Sequence, residues 1–256
     1  MNKLHTLILM CLLSLVGISA NAQKFHPCDA NHDGTVDVAD IAIIANYILT
    51  GEYQSDEPSD DPYNGHEYVD LGLSVKWATC NVGADSPEDY GDYFAWGETE
   101  PKDYYDWSTY LWCNGSNNTL TKYCTYSSFG TVDNKTVLDL EDDAAHVNWG
   151  GDWRMPTLEE LEELYNNCTW EWTTQNGVWG YTVTSRINGN SIFLPITGNR
   201  YLDNQNLVDY YGFYWSSSLG GDPDHAGCLN FFLSLSVGVN MFVCRDTGHP
   251  VRAVCP

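Results

Sequence analysis

From Tyr68 to Trp77 the chain reads YVDLGLSVKW, and Val69, Leu71, Leu73, Val75 and Trp77 alternate with polar or small residues. A period of two lines one face of an extended chain with apolar side chains, which predicts a half-buried strand. WRMPTLEELEELYNNC carries a different period: Leu158, Leu161, Leu164, Tyr165 and Cys168 recur at three and four residues and share one helix face. Thr157 followed by Glu160 is the pair that caps a helix start reciprocally. YTVTSRINGNSIFLP reads as a hairpin about Asn188-Gly189, because both residues accept a tight turn. GFYWSSS, GCLNFFLSLS, GVNMFVC and HPVRAVC have strand character. Short strands, few helices and much loop predict an α+β domain over residues 67–256.

The pattern changes upstream of that domain. Residues 51–66, GEYQSDEPSDDPYNGH, hold five acidic residues, no basic ones, two prolines and no apolar period, so they read as a solvated, extended linker. Residues 41–50 are helical in pattern. Ile41, Ile44, Ala45 and Ile48 form a stripe with Ile43 and Tyr47 beside it, too apolar to stand alone in water. That helix is expected to pack on its own chain, on a scaffold protein or on a second copy. At the N-terminus, Lys3 precedes the apolar run LILMCLLSLVGISA and then ANA before Gln23, which reads as a secretory signal over residues 1–22. The run is too short to span a membrane as a helix. The mature chain is therefore expected outside the cytoplasm, whether extracellular, at the cell surface or periplasmic, with no membrane span.

Charge narrows the partners. Thirty-five acidic against 11 basic residues give a net charge of −24, which repels nucleic acid and anionic membranes. Nine cysteines become eight once Cys11 leaves with the signal, an even number that favours disulfides in an oxidising compartment. No CxxC or Cys/His spacing points to zinc.

Residues 29–40, DANHDGTVDVAD, place oxygen-bearing side chains at loop positions 1, 3, 5 and 12 and a glycine at position 6. Ca²⁺ takes six to eight oxygen ligands, so Asp29, Asn31 and Asp33, the Thr35 carbonyl and Asp40 are the expected shell around Ca²⁺, with Gly34 supplying the turn. Position 12 is Asp40 rather than a long glutamate, and Pro27-Cys28 stands where an incoming helix would end. The segment resembles one half of a type I dockerin, a calcium-loop-plus-helix module that docks enzymes on scaffold proteins. Residues 23–50 are thus a single dockerin-like repeat with no second copy in the chain. Val38 and Ala39 fill the loop positions that usually recognise the partner.

YVDLGLSVKWATCNVGA, YGDYFAWGE, DDAAHVNWGGDWRMPTLEELEEL, NGNSIFLP, YWSSS and the terminal GHPVRAVC occur in that order. Together they resemble the fibrobacter-type major paralogous domain, across essentially all of residues 67–256. The resemblance implies a C-type-lectin-like fold, found in secreted proteins, whose long loops often form a binding face. Sugar-binding C-type lectins hold calcium with EPN or QPD plus WND. This chain has EPK at 100–102, DPD at 222–224 and no WND, so that route to a sugar is not expected.

The resemblance also implies a ligand surface between Tyr210 and Asp246. Its candidates are Tyr214, Trp215, Asp224, His225, Asn230, Phe232, Asn240, Phe242 and Arg245, with aromatics for stacking and Asp, Asn and Arg for orientation. Three disulfides are expected: Cys113 with Cys124 to close a loop, Cys228 with Cys244 between neighbouring strands, and Cys168 with Cys255 as in helix-to-end links of lectin-like folds. Cys28 and Cys80 stay open.

The expected function is a non-catalytic binding or adhesion protein that recognises a glycan or protein ligand. The alternative is a component of a polysaccharide-degrading assembly, with or without glycosidase activity. Catalytic candidates are thin. Glu159, Glu160, Glu162 and Glu163 read as a solvated helix face, and Glu98 with Glu100 is the only other carboxylate pair of interest. His146 and Asp143 lack any nucleophile signature nearby. Nine aromatic residues fall within positions 90–112 and read as loop packing first, ligand stacking second.

Overall fold

The computed structural model describes residues 62–256, together with Ile41, Ile44 and Ala45, which lie in a helix. The expected signal, calcium ligands Asp29, Asn31, Asp33, Thr35 and Asp40, and most of the acidic linker lie outside the described residues. The compact unit that holds every described strand begins at Asp61 rather than at 67. The reason is that the end of the expected linker docks. Trp153 Nε1 donates to the Tyr63 carbonyl at 2.6 Å, Asp152 N–H donates to the Pro62 carbonyl at 2.9 Å, and His66 stacks on Trp149 at 4.0 Å.

This unit is rich in sheet and poor in helix, as expected. Strands β1 (Tyr68–Val69), β2 (Lys76–Ala78) and β11 (Val254–Cys255) form one antiparallel sheet in the order β1-β2-β11, which ties the two ends of the unit together. Trp77 faces Val69 on one side and Val254 on the other. The opening stretch is therefore not one continuous strand. Asp70 Oδ1 accepts the Gly72 N–H at 2.7 Å and Gly72 has φ +69°, so the chain turns between two short strands. The alternation still reports burial correctly, because Leu71, Val75 and Trp77 are all buried.

Two helices follow. In α1 (Ala144–Trp149) the cap is Asp143, whose carboxylate accepts the Ala145 and His146 N–H groups. In α2 (Leu158–Asn167) the capping box forms as expected: Thr157 Oγ1 accepts the Glu160 N–H at 3.2 Å and the Glu160 carboxylate accepts the Thr157 N–H at 2.8 Å. Leu158, Leu161 and Leu164 are buried, whereas Tyr165 is largely exposed.

The second sheet runs β3 (Cys168–Gln175), β4 (Val178–Ser185) and β5 (Ser191–Pro195). The β4–β5 hairpin matches the expected one. The β3–β4 hairpin was not anticipated, although it turns on Asn176-Gly177, whose φ values of +47° and +86° are those of a two-residue type I′ turn. A ribbon of β6 (Asn199–Tyr201) and β7 (Asn204–Asn206) follows. The last sheet has the order β10-β9-β8, from β8 (Tyr211–Leu219), β9 (His225–Phe232) and β10 (Ser236–Cys244). Helix α2 packs on this sheet, and Gly227 is what lets it approach: a Cβ there would lie 2.6 Å from Leu158 Cδ1.

The seven cysteines among the described residues, Cys80, Cys113, Cys124, Cys168, Cys228, Cys244 and Cys255, are all free thiols, which corrects each expected pairing. Register explains the clearest case. Cys228 faces Asn240, and Cys244 faces His225, three residues away along β9. That offset is about 10 Å at strand spacing, beyond the span of a disulfide. Cys168 and Cys255 pack into different core clusters. Cys113 and Cys124 direct their thiols to separate carbonyls, those of Trp107 and Tyr126.

Candidate ligand-binding groove

The β3–β4 hairpin places Trp172 diagonally across from Trp179, because Trp172 faces Tyr181 and Thr174 faces Trp179. Diagonal neighbours on one sheet face lie within reach of large rings. The two indoles stack in parallel, 5.4 Å apart at 8°. Below them Tyr181 meets Trp172 edge-on at 5.2 Å and Phe231 at 5.1 Å. Four rings thus form a ladder from the buried Phe231 to Trp179, which is 48% exposed. An indole held from below by this ladder presents a rigid outer face, and binding to it immobilises little.

The opposite wall is built from two loops. Tyr181 Oη donates to the Leu233 carbonyl at 3.0 Å, and the Leu233 N–H donates to the Tyr210 carbonyl at 2.9 Å, so the β9–β10 turn is pinned to both the hairpin and the 207–210 loop. Leu207, Asp209 and Leu233 have φ of +59°, +71° and +45°, left-handed values that cost a side-chain-bearing residue about 1 kcal/mol or more. Between the walls lies an open groove of about 560 Å³ lined by Trp172, Trp179, Asp209, Leu233 and Ser234. Its chemistry is two aromatic rings with one carboxylate and one hydroxyl. That mixture suits a ligand with an apolar face and a hydroxylated edge.

The face expected between Tyr210 and Asp246 is only partly a surface. Tyr214, Trp215, Asp224 and Arg245 are buried, so these four are corrected to interior roles. Tyr214 Oη donates to the Pro195 carbonyl at 2.7 Å and Trp215 Nε1 to that of Phe94 at 2.8 Å. The Arg245 guanidinium donates to Tyr110 Oη and to the carbonyls of Tyr123, Pro223 and Lys122, and lies 4.7 Å from the centre of the Trp96 ring. It serves as a cross-link of loops. His225, Asn230, Phe232 and Asn240 are half-buried and Phe242 is exposed. Phe232 packs on Tyr211 at 4.7 Å, and Asn240 Oδ1 accepts the Phe242 N–H. The groove meets this sheet only at its β9–β10 turn, through Leu233 and Ser234, and Trp172 and Trp179 were missed with the strand pair that carries them.

Several other candidates have structural employment, while Glu100, Glu159 and Glu162 are exposed. Glu160 forms a two-point pair with Arg154 at 2.6 and 2.7 Å besides its cap. Glu163 accepts the Ser74 N–H and hydroxyl. Glu98 is buried against Lys102 and the Leu111 N–H, and Asp143 accepts three backbone N–H groups, including that of Met155. In the 90–112 loop Tyr93, Phe94, Trp96, Tyr105 and Tyr110 are buried, which makes loop packing their role. Asp139, Glu141 and Asp142 converge closely enough to suggest a cation site, but Lys122 Nζ already lies 2.9, 3.2 and 2.5 Å from their carboxylates. The ammonium supplies the positive charge that such a cluster requires.

No family model, curated protein or solved structure matches the chain.

Proposed function

We propose that the domain is a binding module of a secreted protein and that it takes a glycan across the Trp172–Trp179 groove. The observation that carries this reading is the half-exposed Trp179, held rigid by an aromatic ladder and flanked by Asp209 and Ser234. Indole stacks on the C–H face of a pyranose ring, while a carboxylate and a hydroxyl orient its hydroxyl groups. The carboxylate and the acidic chain disfavour anionic sugars, so the ligand class is neutral or amino-substituted glycans. The resemblance to lectin-like domains of secreted proteins supports the same reading, with the groove in place of a calcium-held sugar.

Binding to an array of neutral, amino and uronic glycans, followed by calorimetric titration of the best ligand, tests this. Trp179→Ala should lower affinity about tenfold or more, consistent with the loss of an aromatic stack. Undiminished binding by Trp179→Ala and by Trp172→Ala would place the ligand elsewhere. In the same reading the segment at 29–40 binds Ca²⁺ through Asp29, Asn31, Asp33, Thr35 and Asp40 and presents the 41–50 helix to a partner. Calcium uptake by the wild-type chain, abolished in Asp33→Ala, is the expected calorimetric result.

A further inference from the structure

Cys244, His225 and Asp224 form a continuous chain of contacts. Cys244 and His225 face each other across β10 and β9, so their side chains share one face of the sheet. Cys244 Sγ lies 3.7 Å from His225 Nε2, and His225 Nδ1 lies 2.8 Å from Asp224 Oδ1. With Nδ1 donating to the carboxylate, the neutral tautomer of the imidazole turns its acceptor nitrogen, Nε2, towards the thiol. Asp224 is itself fixed: Asn117 Nδ2 donates to its other oxygen at 2.8 Å, and its backbone carbonyl accepts the Arg245 N–H at 3.1 Å.

Access is present on this side of the molecule. β10 is an edge strand, the side chain of His225 is 24% exposed, and Cys244 is half-buried. Phe242, 65% exposed, lies 6.3 Å from the imidazole and offers an apolar ring beside it. Burial, with the Asp246 and Asp224 carboxylates nearby, raises the Cys244 thiol above its ordinary range, so the sulfur needs a base to take its proton as it attacks. The register that separates Cys244 from Cys228 leaves the thiol free for chemistry.

We propose that Cys244 is a nucleophile for acyl transfer, with His225 as its general base, Asp224 as the positioning residue, and an ester or thioester carrying an apolar group as substrate. This activity is independent of the glycan groove. As Sγ attacks the acyl carbon, its proton passes to Nε2, the S–C bond forms and the bond to the leaving group breaks. The imidazolium returns the proton to the departing oxygen or sulfur. Water then attacks the thioester, giving one proton to Nε2 and releasing the acid as the proton returns to Sγ, so the net change is hydrolysis of one acyl bond.

The test uses the full chain and p-nitrophenyl acetate. The expected result is a burst of up to one nitrophenolate per chain, with the acetyl group mapped by peptide mass to Cys244 and not to the other cysteines. Cys244→Ser should abolish the burst. His225→Gln should slow it about a hundredfold, the scale of a lost general base. Asp224→Asn should lower kcat with KM unchanged, which loss of packing alone would not do. Absence of a burst from the wild-type chain, acetylation at other sites, a wild-type rate in a folded His225→Gln protein, or Cys244 found in a disulfide on non-reducing mapping would each overturn the proposal.

Discussion

In the 90–112 loop Tyr93, Tyr105 and Tyr110 are each at most 6% exposed, and their hydroxyls donate to the carbonyls of Thr197, Tyr93 and Trp96. On the β3–β4 hairpin Trp170, Trp172, Trp179 and Tyr181 stack on one another, and the outermost ring is half in water. The first group spends its polar tips on backbone that no regular strand would satisfy, so it replaces secondary structure. The second needs no such service, because the β3–β4 ladder already satisfies the backbone, and its rings are left to face outward. Density of aromatic residues thus marks the packed loop, while a regular strand pair marks the rings available to a ligand.

Removing the cation at the centre of the packed region should have the largest effect. Arg245 is fully buried with four oxygen partners and a ring from Trp96, so Arg245→Met leaves those oxygens without a donor. A loss of about 3–5 kcal/mol in urea unfolding is expected, on the scale of breaking a buried charged network. A loss below about 1 kcal/mol would mean that the loop is held by its rings alone.

Next come two buried titrating groups beside the packed region, with opposite signs. Burial lowers His249 to about 3 from 6.5, so below pH 6.5 the unfolded chain binds a proton that the folded chain refuses until pH 3. Stability should therefore fall as pH drops from 6.5 towards 3, by at most about 1.4 kcal/mol per pH unit. Burial raises Asp246 to about 6 from 3.8, so the folded chain holds that proton to higher pH and loses this contribution as pH rises through 6. Asp246→Asn should relieve on the order of 3 kcal/mol above pH 6. Urea unfolding of wild type, His249→Gln and Asp246→Asn from pH 4 to 8 separates the two. Identical pH profiles for all three would refute both assignments.

A single hydroxyl should matter less. Tyr93 Oη donates to the buried Thr197 carbonyl at 2.5 Å and accepts from Gln205 at 2.7 Å. Tyr93→Phe should cost about 1–2 kcal/mol, the scale of one buried hydrogen bond with a partner left unsatisfied. An unchanged unfolding midpoint would remove the argument that these tyrosines substitute for strand pairing.

Much of the frame was legible in the chain because it depends on near neighbours. The Thr157/Glu160 cap, the Leu158–Leu161–Leu164 stripe and the Asn188-Gly189 hairpin each follow from a few adjacent residues. The β3–β4 hairpin carries the same kind of signal, Asn176-Gly177 between apolar-aromatic runs, but the helix pattern reads to Cys168 and the next strand pattern only from Tyr181, which leaves the run between them without an element. What local pattern could not show was side-chain depth. Tyr214 and Trp215 look alike as ligand residues, yet both are interior, because they point to opposite faces of β8 and each face meets its own core cluster. Likewise Cys228 and Cys244 lie on adjacent strands, but the irregularity between Asn240 and Val243 sets their register, and no spacing rule predicts it.

The smallest stability effect should come from the residue assigned the largest role in binding. Trp179 makes one stacking contact with Trp172 and keeps 48% of its surface in water. Trp179→Ala should thus cost no more than about 1 kcal/mol, since only the stack and part of one ring are lost. Trp172→Ala, which also loses the edge contact with Tyr181, should cost more. If the hairpin holds its outer ring for a ligand, the two variants order oppositely in the two assays: Trp172→Ala is worse in unfolding, and Trp179→Ala is at least as severe in glycan titration. Were Trp179→Ala the more destabilising of the pair, its ring would be packing the hairpin rather than facing a ligand, and the contrast with the 90–112 loop would disappear.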